Sequence, residues 1–559
     1  MTGLALSGGG TRSASFSIGI LKALHDTGKL KDIEIISGVS GGAYATYWFF
    51  SQNYYMDEVN KELDEKYQLE DIFRTKNEYL SKDSLALTNL EPANRYRFQK
   101  ALEESSDILA YRHNDAWYNP IVTRLQLGTQ LFIQGLSTPI HWITNGLFDW
   151  EINGMPFFYY YKDGLDRTYG YVPLDYTMEH FANAQSDKYF FGAKNIDAFS
   201  TFMCDYQGGL SGKKSKKCQE YDKAVFEKHR ERMPYFIINT TGVLDAEWNG
   251  SRYSKNGTDI STENRVFEFT PWGCHSVLLG VNQSDKVCED FHWRSAQSRD
   301  LDLAKIVAIS GAAVDGETQA IDADGNAEKP NFWLNLFMDV MHLNMGYHLS
   351  NPNNSFMAQA NGFFHKLLPW PLYIGHDLLL DEQSIGIYLS DGGHSENLAV
   401  WPLIRRGVEE IYLVDAEQDQ LSKFDSAKRL NKELNKYDLE LCFDQTHPLD
   451  VYNADQPIFD VAVKKLGDCD KKLEISTIHY IKLSVPAIES GSKDERKIAL
   501  PFNVTRYMEK NPTFPQQSTA DIFYSPEQFM AYRDLGYKLM LCHLKPDTCQ
   551  LTEYYPEQQ

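Results

Sequence analysis

The chain has 559 residues, of which 42% are hydrophobic and 24% charged, so it has enough apolar side chains for a large packed core. Its net charge of −22 at pH 7 makes nucleic acid a poor partner, because a phosphate backbone would be repelled. No apolar stretch reaches the roughly 18–20 residues of a membrane-spanning helix, so we expect no transmembrane span. The basic run at residues 213–217 fits a solvated loop or a contact with anionic lipid headgroups.

The first fifty residues predict a β-α-β-α unit. Residues 3–6 form a short apolar run that stops at three glycines, as a buried strand does. Residues 12–24 carry apolar side chains at spacings near 3.6, residues 33–36 read as a second strand, and residues 43–50 as a buried helix. The strands of such a unit are parallel, and the functional crevice lies at their carboxyl ends. We therefore expect the two glycine-rich loops after these strands to face the same crevice.

These two loops predict a nucleophile and an oxyanion hole. Residues 38–42 (Gly-Val-Ser-Gly-Gly) fit G-x-S-x-G, the strand-to-helix turn that exposes a nucleophilic serine, here Ser40. The glycines around Ser40 leave room for a strained turn. In the earlier loop, Gly9 and Gly10 place backbone N–H groups where a developing oxyanion would be stabilised.

Nucleotide-binding interpretations of the first loop fail. A Walker loop needs Gly-Lys-Ser/Thr after Gly10, and a dinucleotide fingerprint needs a third glycine where Ser13 stands. A structural alternative remains open, in which both loops are ordinary tight turns of a doubly wound sheet.

The proton acceptor for Ser40 is predicted far downstream. None of the fifteen histidines lies in a diagnostic frame, but residues 385–394 form a mostly apolar strand that ends in Asp391 and two glycines. If this strand belongs to the same parallel sheet, Asp391 opens onto the crevice and can act as the base. Asp-Gly is also a common turn pair, so an ordinary turn residue is the alternative.

Three motifs in this order, at residues 7–12, 38–42 and 391–393, resemble the patatin-like phospholipases. The first also resembles the catalytic domain of cytosolic phospholipases of the A type. Residues 388–398 are similar to the base motif of large bacterial patatin-related proteins. The resemblance covers about the first fifty residues and roughly residues 306–419.

The resemblance implies a three-layer α/β fold related to the α/β-hydrolases, with a mostly parallel sheet and large insertions. It makes Ser40 the nucleophile, Asp391 its base, and Gly9 and Gly10 the oxyanion donors, with no metal or cofactor. Arg12 matches an arginine that helps to hold the substrate phosphate or the oxyanion loop; an ion pair with a local carboxylate is the alternative. The implied reaction is hydrolysis of phospholipid or lysophospholipid esters through an acyl-enzyme, at a membrane or micelle surface.

Two alternatives to a hydrolase stay open. A lipid acyltransferase or thioesterase would use the same dyad, whereas a lipid-binding scaffold would have lost the activity. An intact Ser40 and Asp391 argue against the scaffold.

We expect one catalytic domain, because Ser40 and Asp391 lie far apart in the chain and have to meet. The predicted segments are a core at about 1–50 and 300–420, an insertion or lid at about 51–232, and a C-terminal extension at about 421–559, together making one domain over 1–559. In the insertion, the aromatic run at residues 155–161 fits either an acyl-chain pocket or ordinary core packing.

The compartment stays open. The first strand begins almost at Met1, which leaves no room for a signal peptide unless the N-terminus is already processed or trimmed, and slightly favours a cytoplasmic protein with peripheral membrane contact. The eight cysteines fit either free thiols or the disulfides of a secreted protein. They form four neighbouring pairs: Cys204 and Cys218, Cys274 and Cys288, Cys442 and Cys469, Cys542 and Cys549.

Three further polar features receive structural interpretations. Residues 322–326 begin like a calcium loop but have no glutamate at the twelfth position, so we expect no metal there. His394 is predicted to be structural. Asp415, Glu417 and Asp419 follow a strand and predict a polar turn at the edge of the sheet. The oligomeric state cannot be read from the sequence.

Overall fold

The computed structural model describes the first core segment, parts of the second and much of the C-terminal extension. The described residues are 1–49, 128, 132, 156–169, 234–244, 265–270, 273–276, 303–313, 345–350, 386–420, 423–443, 457–485, 498–519 and 524–549. The basic run at 213–217 and the calcium-like loop at 322–326 lie outside them.

Eleven strands and eight α-helices follow one another along these segments. The strands are β1 (Thr2–Leu6), β2 (Ile35–Val39), β3 (Tyr235–Leu244), β4 (Val266–Thr270), β5 (Gly273–His275), β6 (Tyr347–Ser350), β7 (Gly386–Asp391), β8 (Glu410–Asp415), β9 (Leu439–Cys442), β10 (Ile458–Lys465) and β11 (Ser476–Lys482). The helices are α1 (Gly10–Asp26), α2 (41–49), α3 (Pro156–Tyr169), α4 (Leu303–Ser310), α5 (Trp401–Arg405), α6 (Asp425–Asn435), α7 (Phe502–Lys510) and α8 (Pro526–Leu544).

All eleven strands belong to one mixed sheet. Its main path runs β5-β4-β3-β2-β1-β8-β11-β10-β9. The five central strands, from β3 to β11, are parallel to one another, whereas the strands on both flanks pair in antiparallel fashion. The carboxyl ends of the central strands therefore open at one edge, where a ligand crevice forms in sheets of this kind.

Apolar residues cover both faces of this sheet. Alternate residues of β1 belong to different cores: Leu4 and Leu6 join one with α1 and α8, and Ala5 joins the other with α5 and α6. This alternation follows from the two-residue period of a strand. The predicted α/β fold with three layers is thus confirmed, with its parallel part restricted to the centre of the sheet.

The beginning of the chain folds as the predicted β-α-β-α unit, with one shift. The second strand was predicted at residues 33–36 but occupies Ile35–Val39. Residues Leu30–Asp32 form a short 3₁₀ turn that delays its start, and the strand continues up to Ser40. The serine turn therefore follows the strand with no intervening loop.

The C-terminal extension completes the sheet and one core. Strand β11 pairs with β8, and α8 packs along α1, where a Cβ added at Gly536 would overlap the carbonyl oxygen of Phe16. Disulfides join Cys442 to Cys469 and Cys542 to Cys549, two of the four neighbouring pairs.

Part of the aromatic run packs in the core. Phe158 and Tyr161 are buried on α3, and the hydroxyl of Tyr161 hydrogen-bonds to that of Tyr44 on α2. These two residues follow the core-packing interpretation of the run. Among the described helices, none has the length and apolar character needed to cross a membrane.

Candidate active site

Ser40 stands in a strained turn between β2 and α2. Its φ is 50°, in the left-handed region that non-glycine residues rarely adopt. The backbone of the turn is tightly packed, because a Cβ added at Gly42 would overlap the carbonyl oxygen of Leu6 in the neighbouring strand. The backbone N–H of Ser40 donates to the Oγ of Ser310, 2.8 Å away.

Asp391 lies within hydrogen-bonding distance of this serine. The Oγ of Ser40 donates to the Oδ2 of Asp391 over 3.2 Å, across 351 positions of sequence. Both residues are buried, with 7% and 5% of their surface exposed. The N–H of Gly393 donates to Oδ1 of the same carboxylate at 2.6 Å, which leaves Oδ2 facing the serine.

Strand β7 brings Asp391 to this point by a route that differs from the prediction. We expected β7 to be a parallel strand, but it is antiparallel to β3. Strand β3 extends beyond the end of β2, and β7 pairs with that extension on the edge opposite β4. Val39 pairs with Asn239 and Asp391 with Thr240, so β2 and β7 end on adjacent residues of β3.

The backbone of Asp391 is held by β3 as well. The Oγ1 of Thr241 donates to the main-chain oxygen of Asp391 at 2.7 Å and lies 2.9 Å from the Oγ of Ser395. The main chain at Asp391 is thereby fixed by a side chain of the adjacent strand.

The first glycine loop lies against the serine turn. A Cβ added at Gly41 would overlap the backbone of Gly10, and one added at Gly8 would lie 3.4 Å from the Cβ of Ser40. Gly9 has φ 137° and Gly10 has φ 60°, conformations that favour glycine. Gly8 donates its N–H to the carbonyl oxygen of Asn397, whereas those of Gly9 and Gly10 find no acceptor within the described ranges.

Arg12 is buried beneath this loop, with 0% of its surface exposed. Its Nε donates to the carbonyl oxygen of Ala416 at 3.1 Å, and its Nη1 donates to that of Gln517. Its Nη2 has no hydrogen-bond partner among the described residues, and burial lowers the pKa of the guanidinium. The side chain thus joins the segment after β8 to the C-terminal extension.

A buried cluster of charges supports the same loop from behind. The Nζ of Lys482 lies 2.7 Å from Asp415, 3.6 Å from Glu417 and 3.1 Å from Asp419. These carboxylates lie at or just after the carboxyl end of β8, which lies between β1 and β11 and is parallel to both. The N–H of Ala416, within this segment, donates to the Oγ of Ser7.

The charged groups in this cluster shift one another's pKa values. Burial alone would lower the pKa of Lys482, but the three carboxylates raise it above its ordinary value. Burial and the adjacent Asp415 raise the pKa of Glu417. Burial alone would raise the pKa of Asp419, yet Lys482 and two backbone N–H groups lower it.

Three residues near the dyad carried no assigned role in the sequence interpretation. Thr241 and Ser310 lie in apolar segments without a motif, so only their tertiary contacts identify them. Asn397 stands within the motif at 388–398; its carbonyl accepts from Gly8 and its Nδ2 donates to Glu417 at 3.2 Å. His394 lies in the short turn after Asp391, with its Nδ1 3.5 Å from the Oγ of Ser390.

Comparisons with known proteins give one family and one recurring structure. Residues 4–136 match the family model described as patatin-like phospholipase. The structure of human GIVD cytosolic phospholipase A2 is similar with a TM-score of 0.46 and 12% identity, covering 98% of this chain and 61% of that one. The same human enzyme in complex with methyl gamma-linolenyl fluorophosphonate is similar with a TM-score of 0.37 and 12% identity, covering 98% and 58%.

The chain therefore spans about three fifths of the length of these structures. A comparison with curated protein sequences finds no match.

Proposed function

We propose, from the match of residues 4–136 to the patatin-like phospholipase family model and from the geometry of the site, that the chain is a serine acyl hydrolase that cleaves carboxylic esters of phospholipids or lysophospholipids. The observation that carries the proposal is the hydrogen bond of 3.2 Å between Ser40 and Asp391. A nucleophile and a base within hydrogen-bond reach are the minimum that acyl transfer requires.

In the first half of the reaction, the Oγ of Ser40 attacks the acyl carbonyl carbon while its proton passes to the Oδ2 of Asp391. The N–H groups of Gly9 and Gly10 stabilise the tetrahedral oxyanion, an interaction that typically contributes about 3–4 kcal/mol per donor. Asp391 then gives the proton to the departing alcohol, which leaves an acyl-enzyme ester on Ser40.

In the second half, Asp391 takes a proton from water, and the resulting hydroxide attacks the ester. Collapse of the second tetrahedral intermediate releases the fatty acid and returns the proton to Ser40. Because Gly393 already occupies Oδ1, the same oxygen, Oδ2, serves as proton acceptor in both halves. The chain's own residues account for every proton in this scheme.

Arg12 has a structural role in this proposal rather than direct contact with substrate. Its two hydrogen bonds to backbone carbonyls and its complete burial support a function in holding the oxyanion loop. This is one of the two roles that the family resemblance offered for it.

The test is labelling with a fluorophosphonate probe, combined with fatty acid release from phospholipid, lysophospholipid and neutral glyceride micelles. We expect labelling at Ser40 and release from the first two substrates. Ser40→Ala abolishes both, and Asp391→Asn lowers turnover by roughly 10²- to 10⁴-fold, because the general base itself is lost. Ser17→Ala is the matched control, because the Oγ of Ser17 is buried without a hydrogen-bond partner in the described structure.

Folded protein that the probe does not label would contradict the hydrolase and leave a lipid-binding scaffold. Labelled protein that transfers its acyl group to an added alcohol or thiol in preference to water would identify an acyltransferase. Release confined to acyl thioesters would identify a thioesterase.

A further inference from the structure

A single buried hydroxyl connects the serine turn to the strand that holds the base. Ser310, the last residue of α4, is completely buried. Its Oγ donates to the carbonyl oxygen of Asn239 at 2.6 Å and accepts the N–H of Ser40 at 2.8 Å. Because its one proton is directed at Asn239, its lone pairs are free to accept from Ser40. The direction of both hydrogen bonds is therefore fixed.

Asn239 lies at the junction between the nucleophile and the base. Its Nδ2 donates to the Oγ of Ser37 at 2.8 Å and to the carbonyl oxygen of Gly38 at 3.2 Å, both on β2. Its carbonyl oxygen, the one that accepts from Ser310, packs against Gly392, where an added Cβ would overlap it. The position of this one carbonyl thus bears on the serine turn and on the segment that follows Asp391.

Ser40 requires such support because of its backbone conformation. A non-glycine residue with positive φ is strained by about 1–2 kcal/mol and keeps that conformation only where its surroundings enforce it. Close packing of the glycines blocks other conformations of the turn, but it supplies no directional contact to Ser40 itself. The hydrogen bond from the Ser40 N–H to Ser310 is directional.

We propose that Ser310 is a positioning residue, which fixes Ser40 relative to Asp391 through the chain of contacts from the Ser40 N–H to Ser310 to the Asn239 carbonyl. The inference rests on the proposed function for its catalytic consequence. The restraint of the Ser40 backbone by Ser310 does not depend on which acyl ester is cleaved. Ser310 contacts no reacting atom, so its effect is on geometry alone.

The test compares Ser310→Ala with Ser17→Ala, each of which removes a buried hydroxyl. Without its hydroxyl, residue 310 no longer accepts the N–H of Ser40 or donates to the carbonyl of Asn239, and the serine can move away from Asp391. We expect the rate of fluorophosphonate labelling and kcat to fall roughly 10- to 100-fold, with KM unchanged. Ser17→Ala keeps the wild-type rates, because its hydroxyl makes no hydrogen bond to any residue that the structure describes.

Ser310→Thr keeps the hydroxyl and is expected to restore most of the lost rate. If the additional methyl prevents folding, Ser310→Cys retains the volume with a weaker acceptor and is expected to give an intermediate rate. Amide hydrogen exchange at Ser40 supplies a readout without chemistry: we expect faster exchange in Ser310→Ala than in Ser17→Ala.

Wild-type labelling rate and unchanged Ser40 exchange in Ser310→Ala would overturn the inference. So would equal losses of rate in Ser310→Ala and Ser17→Ala, since these would reflect packing only. If the wild-type protein is not labelled at all, the proposed function fails, and the exchange experiment still decides whether Ser310 restrains the serine turn.

Discussion

Ser40 and Asp391 share one hydrogen bond, but the segments that carry them are fixed by different kinds of contact. The serine turn is confined mainly by close packing of backbone against backbone, as between Gly42 and the Leu6 carbonyl. The base also lies beside a closely packed glycine, Gly392, but its main-chain oxygen and its carboxylate are fixed by polar contacts from Thr241 and Gly393. Steric exclusion permits almost no adjustment, whereas each polar contact typically contributes about 1 kcal/mol.

The comparison predicts that the two sides respond differently to substitution. On the serine side, an atom added to a tightly packed glycine should disrupt the fold. On the base side, the loss of one polar contact should shift activity or pH dependence in a protein that still folds.

Gly42→Ala should have the largest effect, because its Cβ would overlap the Leu6 carbonyl oxygen, which belongs to the central sheet. We expect a loss of more than about 4 kcal/mol of stability or no folded protein, measured by urea denaturation. Gly128→Ala is the control, since no atom of the described structure lies within 4 Å of a Cβ at that position. A Gly42→Ala variant as stable as Gly128→Ala would show that the turn can relax.

Lys482→Met should rank second, because it leaves three carboxylates without their cation behind the oxyanion loop. Removing one partner of a buried ionic cluster costs about 3–5 kcal/mol. Lys471→Met removes an exposed lysine paired with Asp468 and should leave the melting temperature unchanged. Equal melting temperatures for the two variants would mean that the cluster contributes nothing to stability.

Glu396, in the segment after Asp391, should make stability depend on pH. Burial raises the pKa of this carboxyl to about 7, although the N–H groups of Leu398 and Trp401 favour its charged form. The folded state therefore holds a proton that the unfolded state loses near pH 4.5. This proton stabilises the folded state fully below pH 4.5. The free energy of unfolding then falls as pH rises from 4.5 to about 7, by up to about 3 kcal/mol.

Denaturation of the wild type and Glu396→Gln between pH 4 and 8 measures this contribution. The variant cannot ionise at this position, so the difference between the two curves should change between pH 4.5 and about 7 and stay constant from there to pH 8. Parallel curves would contradict the assignment.

Thr241→Val should have the smallest effect on stability, about 1–2 kcal/mol, because it removes hydrogen bonds to Asp391 and Ser395 and keeps the side-chain volume. Turnover should fall roughly tenfold as the carboxylate loses its restraint. Thr505→Val, on α7, removes a hydrogen bond to Pro501 instead and should leave turnover unchanged. Equal turnover of both variants would mean that Thr241 does not restrain Asp391.

Local patterns predicted the serine side well. The β-α-β-α unit and the turn at Ser40 follow from apolar periodicity and from glycine spacing within some forty residues. The glycines that the turn needs are visible in the sequence because sterics between β1, β2 and α1 admit no other residue. The same motifs carried the family resemblance, and residues 4–136 match that family.

Only the tertiary structure shows how the strand that carries Asp391 is placed beside the serine turn. The amino-acid sequence marks Asp391 at the end of a strand, but it cannot state that β7 is antiparallel or that β3 extends beyond β2 to receive it. Strand direction depends on pairings between residues separated by about 150 positions, as with Thr241 and Asp391. The roles of Ser310, Thr241 and Lys482 could not be predicted for the same reason. The role of a buried hydroxyl or ammonium depends on its hydrogen-bond or ionic partners, and these are distant in sequence and meet only in the folded chain.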